Sequence, residues 1–220
     1  MTTASSLSLS NFIGLADQVY DDLPQKGAKI EINHSYYDVV LPPINDVTAS
    51  YQGMVLLDDA TNSLIVVNRG TQGATDLVVD AAMADQDVNL QWSDALSLAQ
   101  QAQSYADANG ITNIYATGHS LGGSLAQMQA AYFGWKGVTF NPYGTDEIYN
   151  KLVQAGDAPP ISTRADITNY RMMYDLVSDA SVQIGTVKVL ETPDDQKLFA
   201  SGISIPDCRH PSVPATPMPV

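Results

Sequence analysis

The sequence has few of the residues that bind nucleic acid, form disulfides or coordinate metal ions. Its 220 residues include 10 Lys and Arg against 24 Asp and Glu, a formal net charge of −14, whereas nucleic acid and strongly anionic lipid both call for a cationic face. The single cysteine, Cys208, excludes an intrachain disulfide framework. Three histidines, with no pair at helical ligand spacing, argue against a histidine-rich metal centre. We therefore expect no nucleic-acid partner, no metal and no cofactor.

Long apolar segments are also missing. The first residues, MTTASSLSLSNF, have neither the basic region nor the apolar run of a secretory signal. No stretch of about 18 apolar residues is available to cross a bilayer. These absences favour a cytoplasmic location and leave export without a cleavable leader open.

What is present is the composition of a folded protein, with 45% hydrophobic and 15% charged residues. The length suits one domain over 1–220. Within it we expect a helix and a strand in 1–50, the core of the domain over 51–190, and a tail over 191–220 whose last part holds five prolines. Nothing in the sequence indicates an oligomeric state.

The first third of the chain predicts one helix and three strands. Apolar residues recur at helical spacing over 11–21, with Ser10 as a candidate N-cap. A strand is expected over 36–41, and turn residues between the runs 51–57 and 64–68 predict a hairpin. The second run is apolar throughout, which suits a strand buried on both faces.

Helical periodicity and β-rich runs then alternate along the chain. The predicted helices cover 75–84, 93–109 and 121–133, and the predicted strands cover 111–116, 137–140, 167–173 and 182–190. This order predicts an α/β fold with a mostly parallel central sheet, right-handed crossovers and helices on both faces.

The most informative motif is Gly118-His119-Ser120-Leu121-Gly122, which has the pattern G-x-S-x-G. It falls at a predicted strand end and directly before a predicted helix, the strand-to-helix turn that a nucleophile elbow requires. Such a turn lifts Ser120 towards the carboxyl edge of the sheet and points the free amides of the helix at the same place. The alternative is an ordinary glycine-rich turn with a capping serine.

Segment 116–126 resembles the nucleophile segment of the class 3 lipases, the fungal-lipase-like branch of the α/β-hydrolases. Similarity to the family's segments continues in family order, and these segments are the oxyanion strand at 66–71, the strand after the nucleophile helix at 139–144 and the catalytic aspartate at 175–177. The family usually has an aromatic residue where Asn68 stands. The resemblance spans roughly residues 50–180 and implies an α/β-hydrolase fold with a lid-like segment after the oxyanion strand.

A nucleophilic serine needs a histidine to take its proton. In α/β-hydrolases the order along the chain is serine, acid, histidine, and His210 alone follows both Ser120 and Asp175. His119 neighbours Ser120 and is expected to point away from it as a packed or turn-stabilising residue. If the tail does not fold back, the base would be His34, or there would be none.

The remaining site residues are assigned from position and resemblance. Asp175 follows a predicted strand and is similar to the catalytic acid of the family, with Asp179 as runner-up. The backbone amides of Thr71 and Leu121 are the expected oxyanion donors. Arg69 is expected to pair with a carboxylate below the loop in a structural role.

The resemblance also places a lid at about residues 72–92, which could cover an apolar cleft and open against a lipid surface. An ordinary amphipathic surface helix is an equally good interpretation of the same stretch. Between Arg69 and Lys136 there is no Lys or Arg, so we expect neutral glycerides, zwitterionic phospholipids or small esters as substrates rather than a strongly anionic bilayer.

These observations predict a serine carboxylic-ester hydrolase, lipase- or phospholipase-like, that uses a Ser120–Asp175–His210 triad and an acyl-enzyme. An acyltransferase or thioesterase at the same site is one alternative. A non-catalytic module of the same fold that binds lipid or a partner is the other.

Overall fold

The computed structural model describes residues 7–20, 23–70, 81–173 and 181–190, with side chains described for all of these except 81–85 and 87. In chain order the elements are α1 (Leu9–Gln18), β1 (Lys29–Ile32), β2 (Ser35–Val39), β3 (Ile44–Asp46), β4 (Tyr51–Asp58), β5 (Ser63–Asn68), α2 (Ala81–Asn109), β6 (Asn113–His119), α3 (Leu121–Phe133), β7 (Lys136–Phe140), α4 (Asp146–Ala155), β8 (Asp166–Met172) and β9 (Thr186–Leu190).

The strands form one nine-stranded mixed sheet in the order β1-β2-β4-β5-β6-β7-β8-β9, with β3 paired to β4 off this path. Neighbours from β1 to β5 are antiparallel, and neighbours from β5 to β9 are parallel. The predicted hairpin is β4–β5, and the predicted strand–helix alternation builds the parallel part. The α/β architecture is therefore confirmed.

Helices cover both faces of the sheet, as predicted. On β5, Leu64 and Val66 pack into a core cluster with α2, α3 and part of α4, while Ile65 and Val67 pack into a second cluster with α1. All six residues of β5 are buried, because its alternate side chains enter different cores. Among the described helices, none is long and apolar enough to cross a membrane.

Several element boundaries differ from the prediction. Helix α1 begins at Leu9, and its N-cap is Ser8 rather than Ser10, because the Ser8 hydroxyl accepts the Asn11 amide hydrogen. The predicted break before residue 93 is wrong, since α2 is continuous from Ala81 to Asn109. The last strand begins at Thr186, four residues later than the predicted start.

Three elements were not predicted from the sequence. Strands β1 and β3 have four and three residues, too few to show a clear period of two, and the polar sequence of α4 was passed over. A two-residue turn joins β1 to β2, and its residues Asn33 and His34 have positive φ angles of 50° and 63°. Residues with positive φ at both central positions match the twist of a hairpin.

Candidate active site

Ser120 occupies the sharp bend between the end of β6 and the start of α3. Its φ of 53° and ψ of −126° lie in a region that costs a non-glycine residue about 1–3 kcal/mol. The conformation is held by two backbone hydrogen bonds, since the Ser120 amide donates to the Phe140 carbonyl at 3.0 Å and the Ser120 carbonyl accepts from the Ser124 amide at 3.1 Å. The predicted strand–turn–helix setting of the motif is confirmed.

The two glycines of the motif are required by close backbone contact. A Cβ on Gly122 would lie 2.2 Å from the Asn68 carbonyl oxygen, and one on Gly118 would lie 2.5 Å from the Gly122 carbonyl carbon. Both distances are shorter than van der Waals contact. The end of β5 therefore packs directly against the elbow.

The same close packing continues two residues beyond the end of β5. A Cβ on Gly70 would lie 2.7 Å from the His119 carbonyl oxygen and 3.4 Å from the Ser120 Cβ. Thr71, the expected donor, comes next in the chain but lies outside the described residues. Its role as an oxyanion donor stays a prediction.

Leu121, the other expected oxyanion donor, is the first residue of α3. Amides in the first turn of a helix have no acceptor within the helix, and the helix dipole adds partial positive charge there. The start of α3 therefore suits stabilisation of an anion that forms beside Ser120.

His119 points towards α1 and not along the nucleophile. Its side chain is 5% exposed, and burial lowers its pKa from 6.5 to about 4, so the imidazole is neutral at physiological pH. Its Nδ1 lies 3.5 Å from the Tyr20 hydroxyl oxygen. This placement agrees with the expected packing role of His119.

His34 lies at the opposite edge of the sheet from Ser120. Strand β2 runs in the same direction as β6, because it is antiparallel to β4 and β4 is antiparallel to β5, which is parallel to β6. His34 directly precedes β2, whereas Ser120 directly follows β6. The His34 side chain is fully exposed, 3.7 Å from Glu31. His34 is therefore not placed to serve Ser120.

The predicted acid and base, Asp175 and His210, lie outside the described residues, as does the runner-up Asp179. The described residues on either side of the segment that carries both aspartates are hydrogen-bonded to the loop that follows β7. Before it, the Met172 amide donates to the Asn141 side-chain oxygen at 2.8 Å, and after it the Ser181 hydroxyl donates to the Gly144 carbonyl at 3.0 Å.

Arg69, near the elbow, does not make the expected ion pair with a described carboxylate. The Arg69 Nε is buried without a hydrogen-bond acceptor in the part of the chain that the structure describes, and burial lowers the pKa of this guanidinium. The expected carboxylate partner of Arg69 is thus not among the described residues.

The sequence alone did not single out Tyr20, whose hydroxyl lies beside His119, because a lone tyrosine beyond a helix end carries no motif.

Across the described residues, no group of three or more His, Cys, Asp or Glu side chains could hold a metal ion. Of the predicted lid, residues 81–92 belong to α2, and the side chains of Val88 and Trp92 are buried in the core. Residues 72–80 of the predicted lid lie outside the described part.

Residues 13–197 match the family model of the Tle-like phospholipase domain. A comparison with curated proteins found no match. Among solved structures, a triacylglycerol lipase from Penicillium expansum has a TM-score of 0.60 at 16% identity, covering 88% of this chain and 86% of that one. The Lip2 lipase from Yarrowia lipolytica has a TM-score of 0.56 at 17% identity, with 84% and 78% covered.

A third similar structure is a triacylglycerol lipase whose catalytic centre is formed by a serine protease triad. Its TM-score is 0.64 at 13% identity, and the alignment covers 84% of this chain and 80% of that one. At such identities the similarity establishes the fold, which is the fungal-lipase-like fold that the resemblance predicted.

Proposed function

Because the chain belongs to the Tle-like phospholipase domain family and is a lipase-type carboxylic ester hydrolase, we propose that Ser120 is its nucleophile, within a triad completed by Asp175 and His210. The observation that carries this proposal is the strained backbone of Ser120 between β6 and α3. A strained non-glycine residue at a strand-to-helix turn is typical of a nucleophile that must stand clear of the sheet.

The identity of the base is supported by elimination within this sequence. It contains three histidines. His34 lies at the wrong edge of the sheet, and His119 is buried beside Tyr20 with a low pKa. His210 is the remaining candidate, and it follows the acid in the order that α/β-hydrolases use.

In the proposed reaction, Ser120 attacks the ester carbonyl while His210 takes the serine proton. His210 then passes that proton to the alkoxide oxygen of the leaving alcohol, which departs and leaves an acyl-enzyme. Asp175 orients the imidazole and stabilises its cation. The amides of Thr71 and Leu121 hold the oxyanion. Water attacks the acyl-enzyme in the second half, releases the acid and restores Ser120.

Exposed apolar side chains at the nucleophile edge support a lipid substrate. The three most exposed large aliphatic residues in the described part are Val47 at 83%, Val182 at 69% and Leu90 at 67%. Val47 lies in the turn before β4, whose Gly53 pairs with Asn68 at the end of β5. This turn is therefore at the edge where β5 and β6 end.

The other two lie at the same edge. The Val182 carbonyl accepts the Asp146 amide hydrogen beside the loop that leaves β7. Ala95 of α2 is level with the end of β5, because Gln129 hydrogen-bonds both to the Ala95 carbonyl and to Asn68. Leu90 lies five residues before Ala95 in the same helix. At about 1.5 Å per helical residue, Leu90 stands beyond the sheet edge. We call Val47, Leu90 and Val182 the apolar rim.

Acidic groups lie next to this rim. Asp46 directly precedes Val47, and Asp94 is one helical turn beyond Leu90. Burial, followed by the charge of Asp46, raises the pKa of Asp94. A negative rim repels anionic lipid at low salt, so we propose neutral or zwitterionic lipid esters as the substrates.

The nucleophile is tested by hydrolysis of p-nitrophenyl butyrate and by labelling with a serine-reactive phosphonate. Ser120→Ala and His210→Asn should each lower kcat by roughly 10⁴-fold or more, and Ser120→Ala should abolish labelling. His34→Asn is the matched control and should keep the wild-type rate. Wild-type protein that labels no better than Ser120→Ala would contradict the proposal.

The acid is tested by a matched pair of substitutions. Asp175→Asn should lower kcat by roughly 10³-fold or more, and Asp179→Asn should not. The wild-type rate should fall as pH drops through roughly 6–7, near the ordinary pKa of histidine. A rate that stays flat down to pH 4 would exclude His210 as the base.

The substrate class is tested with vesicles at low salt. Phosphatidylcholine vesicles should be hydrolysed faster than phosphatidylglycerol vesicles, and added salt should reduce the difference. Replacing all three apolar-rim residues by Ser should lower the vesicle rate relative to the soluble-ester rate. The control is Tyr36→Ser with Ile161→Ser, exposed residues near the starts of β2 and β8. Equal hydrolysis of both vesicle types would contradict the proposal.

A further inference from the structure

Tyr20 joins the two halves of the proposed active site although it belongs to neither. It follows α1 and precedes Gly70 by fifty residues. Its hydroxyl oxygen accepts the Gly70 amide hydrogen at 3.1 Å and lies 3.5 Å from His119 Nδ1. Gly70 directly precedes the proposed donor Thr71, and His119 directly precedes the proposed nucleophile Ser120.

The hydrogen-bonding capacity of these groups fits one direction of donation. A tyrosine hydroxyl has one hydrogen to donate and can also accept. Since the Gly70 amide can only donate, the Tyr20 hydroxyl accepts from it and can donate its own hydrogen to His119. His119 is buried and its pKa is lowered, so a neutral ring can accept at Nδ1. A protonated ring could not accept there.

At Gly70 the backbone can be fixed by a hydrogen bond from another part of the chain. Glycine has the greatest backbone freedom of any residue, so the direction of the next amide, that of Thr71, depends on how Gly70 is held. The space is also tight, because a Cβ on Gly70 would lie 2.3 Å from the Tyr20 hydroxyl oxygen. Tyr20 thus limits the orientations that Gly70 can adopt.

We propose that Tyr20 is a positioning residue for the oxyanion hole, which acts by holding the Gly70 amide, the last described backbone amide before the proposed donor Thr71. This inference rests on the proposed function. Tyr20 acts through the backbone and does not itself touch the reacting atoms. Preorganised donors contribute to catalysis because they need not reorganise as charge develops.

The test compares Tyr20→Phe with wild type, per active site titrated with the phosphonate. With p-nitrophenyl butyrate, kcat should fall by about 10-fold, less than the 10²–10³-fold loss of a direct donor, and KM should stay within about twofold. Affinity for butaneboronic acid, whose serine adduct is tetrahedral, should weaken by the same factor as kcat/KM. The pH at which activity falls should not move, because the base is untouched.

Tyr37→Phe is the matched control, because Tyr37 is a tyrosine of the same α1-side cluster on the distant strand β2. It should leave kcat and boronate affinity at wild-type values. A second pair of variants carries the test if Tyr20→Phe does not fold. His119→Leu should lower kcat as Tyr20→Phe does, and His119→Asn, which keeps a hydrogen-bond acceptor near the Nδ1 position, should recover part of the loss.

The inference is overturned if Tyr20→Phe keeps wild-type kcat and boronate affinity per titrated site, or if it moves the pH profile instead. It is also overturned if His119→Asn is no better than His119→Leu. In each of these cases the wild-type protein still hydrolyses the ester, and the proposed function stands. Failure of the proposed function is a different result, namely wild-type protein that neither reacts with the phosphonate nor turns over the ester.

Discussion

The two faces of β6 support Ser120 in different ways. On the α3 face, buried amide and hydroxyl side chains form hydrogen-bond networks around Ser124, Gln127 and Gln129, which have no exposed surface. On the α1 face, the described packing is mainly apolar, and Tyr20 makes polar contacts with His119 and Gly70 beside the elbow.

The α3 network connects the helix that follows Ser120 to β5. The Gln129 amide group donates to the Ala95 carbonyl at 2.7 Å, and the Asn68 amide group donates to the Gln129 oxygen at 2.8 Å. The Tyr51 hydroxyl donates to the Asn68 oxygen at 2.8 Å. Asn68, which stands where the resembled family has an aromatic residue, therefore links three elements by hydrogen bonds.

A second network on the same face holds residues 183 and 184, which follow the segment of the predicted acid. The Gln127 amide group donates to the Gln183 oxygen at 2.8 Å, and the Gln127 oxygen accepts the Ile184 amide hydrogen at 2.8 Å. The Ser124 hydroxyl donates to the Tyr143 carbonyl at 2.9 Å. Directional bonds fix one register of these segments, whereas apolar contacts tolerate small shifts. Amide and hydroxyl side chains do not titrate near neutral pH, whereas burial lowers the pKa of His119 from 6.5 to about 4. We therefore expect the α3 face to be insensitive to pH and the α1 face to be sensitive to it.

The largest expected effect comes from the contact between α3 and β5. Gly122→Ala should lower the free energy of unfolding by about 3 kcal/mol or more, because its Cβ would meet the backbone of Asn68 at 2.2 Å and backbone cannot easily move aside. Gly123→Ala is the control on the same helix turn, with its nearest atoms at 3.0 Å, and should cost about 1 kcal/mol or less because alanine favours the helix. Urea denaturation measures both. Equal losses would mean that the close contact does not constrain the elbow.

An intermediate effect is expected for the buried network. Gln129→Leu should cost about 2–3 kcal/mol, because it leaves the Ala95 carbonyl and part of Asn68 without hydrogen bonds in a region closed to water. Gln101→Leu, an exposed position on α2, should change stability by about 0.5 kcal/mol or less. Neither difference should depend on pH between 5 and 8. A pH-dependent loss at Gln129 would remove the contrast between the two faces.

The smallest effect concerns His119 and distinguishes the α1 face. Burial lowers its pKa from 6.5 to about 4, so between these values the unfolded chain binds a proton that the folded chain does not. This contribution to stability is present above pH 6.5 and is lost as pH falls towards 4. Between pH 7 and 5 the loss should be roughly 1–2 kcal/mol.

The measurement is the difference in unfolding free energy between wild type and His119→Asn at each pH, since carboxylate titration affects both proteins alike. This difference should shift in favour of His119→Asn as the pH is lowered. His34→Asn is the comparison at an exposed position, and the shift with pH should be larger for His119→Asn. A flat profile for His119→Asn would mean that the buried ring is not held neutral.

The parts of the fold that followed from local pattern were predicted well. Apolar alternation and helical spacing identified β4, β5, α3 and β7 to within a residue or two, and the glycines around Ser120 located the elbow. Short or polar elements were missed: β1 has only four residues, too few to show a clear period, and α4 was passed over although Ile148, Leu152 and their neighbours recur at helical spacing. The continuity of α2 was also missed, because the acidic residues before Val88 resemble a loop.

The environment of the candidate site could not be predicted in the same way. Nothing local to Tyr20, Gln127 or Gln129 distinguishes a buried polar residue from an exposed one, because burial depends on what the chain brings against it. The roles of Thr71, Asp175 and His210 stay predictions, since they rest on chain order and resemblance.

The sequence by itself determined the strand–helix alternation, the tight bend at Ser120 and the acidic character of the chain, because these depend on neighbouring residues and on composition. Only the tertiary structure decided which histidines are excluded as the base, since strand direction carries His34 to the far edge and packing against α1 keeps His119 neutral. Tertiary packing also decided that Tyr20 meets Gly70, a contact between residues fifty positions apart that no local pattern encodes.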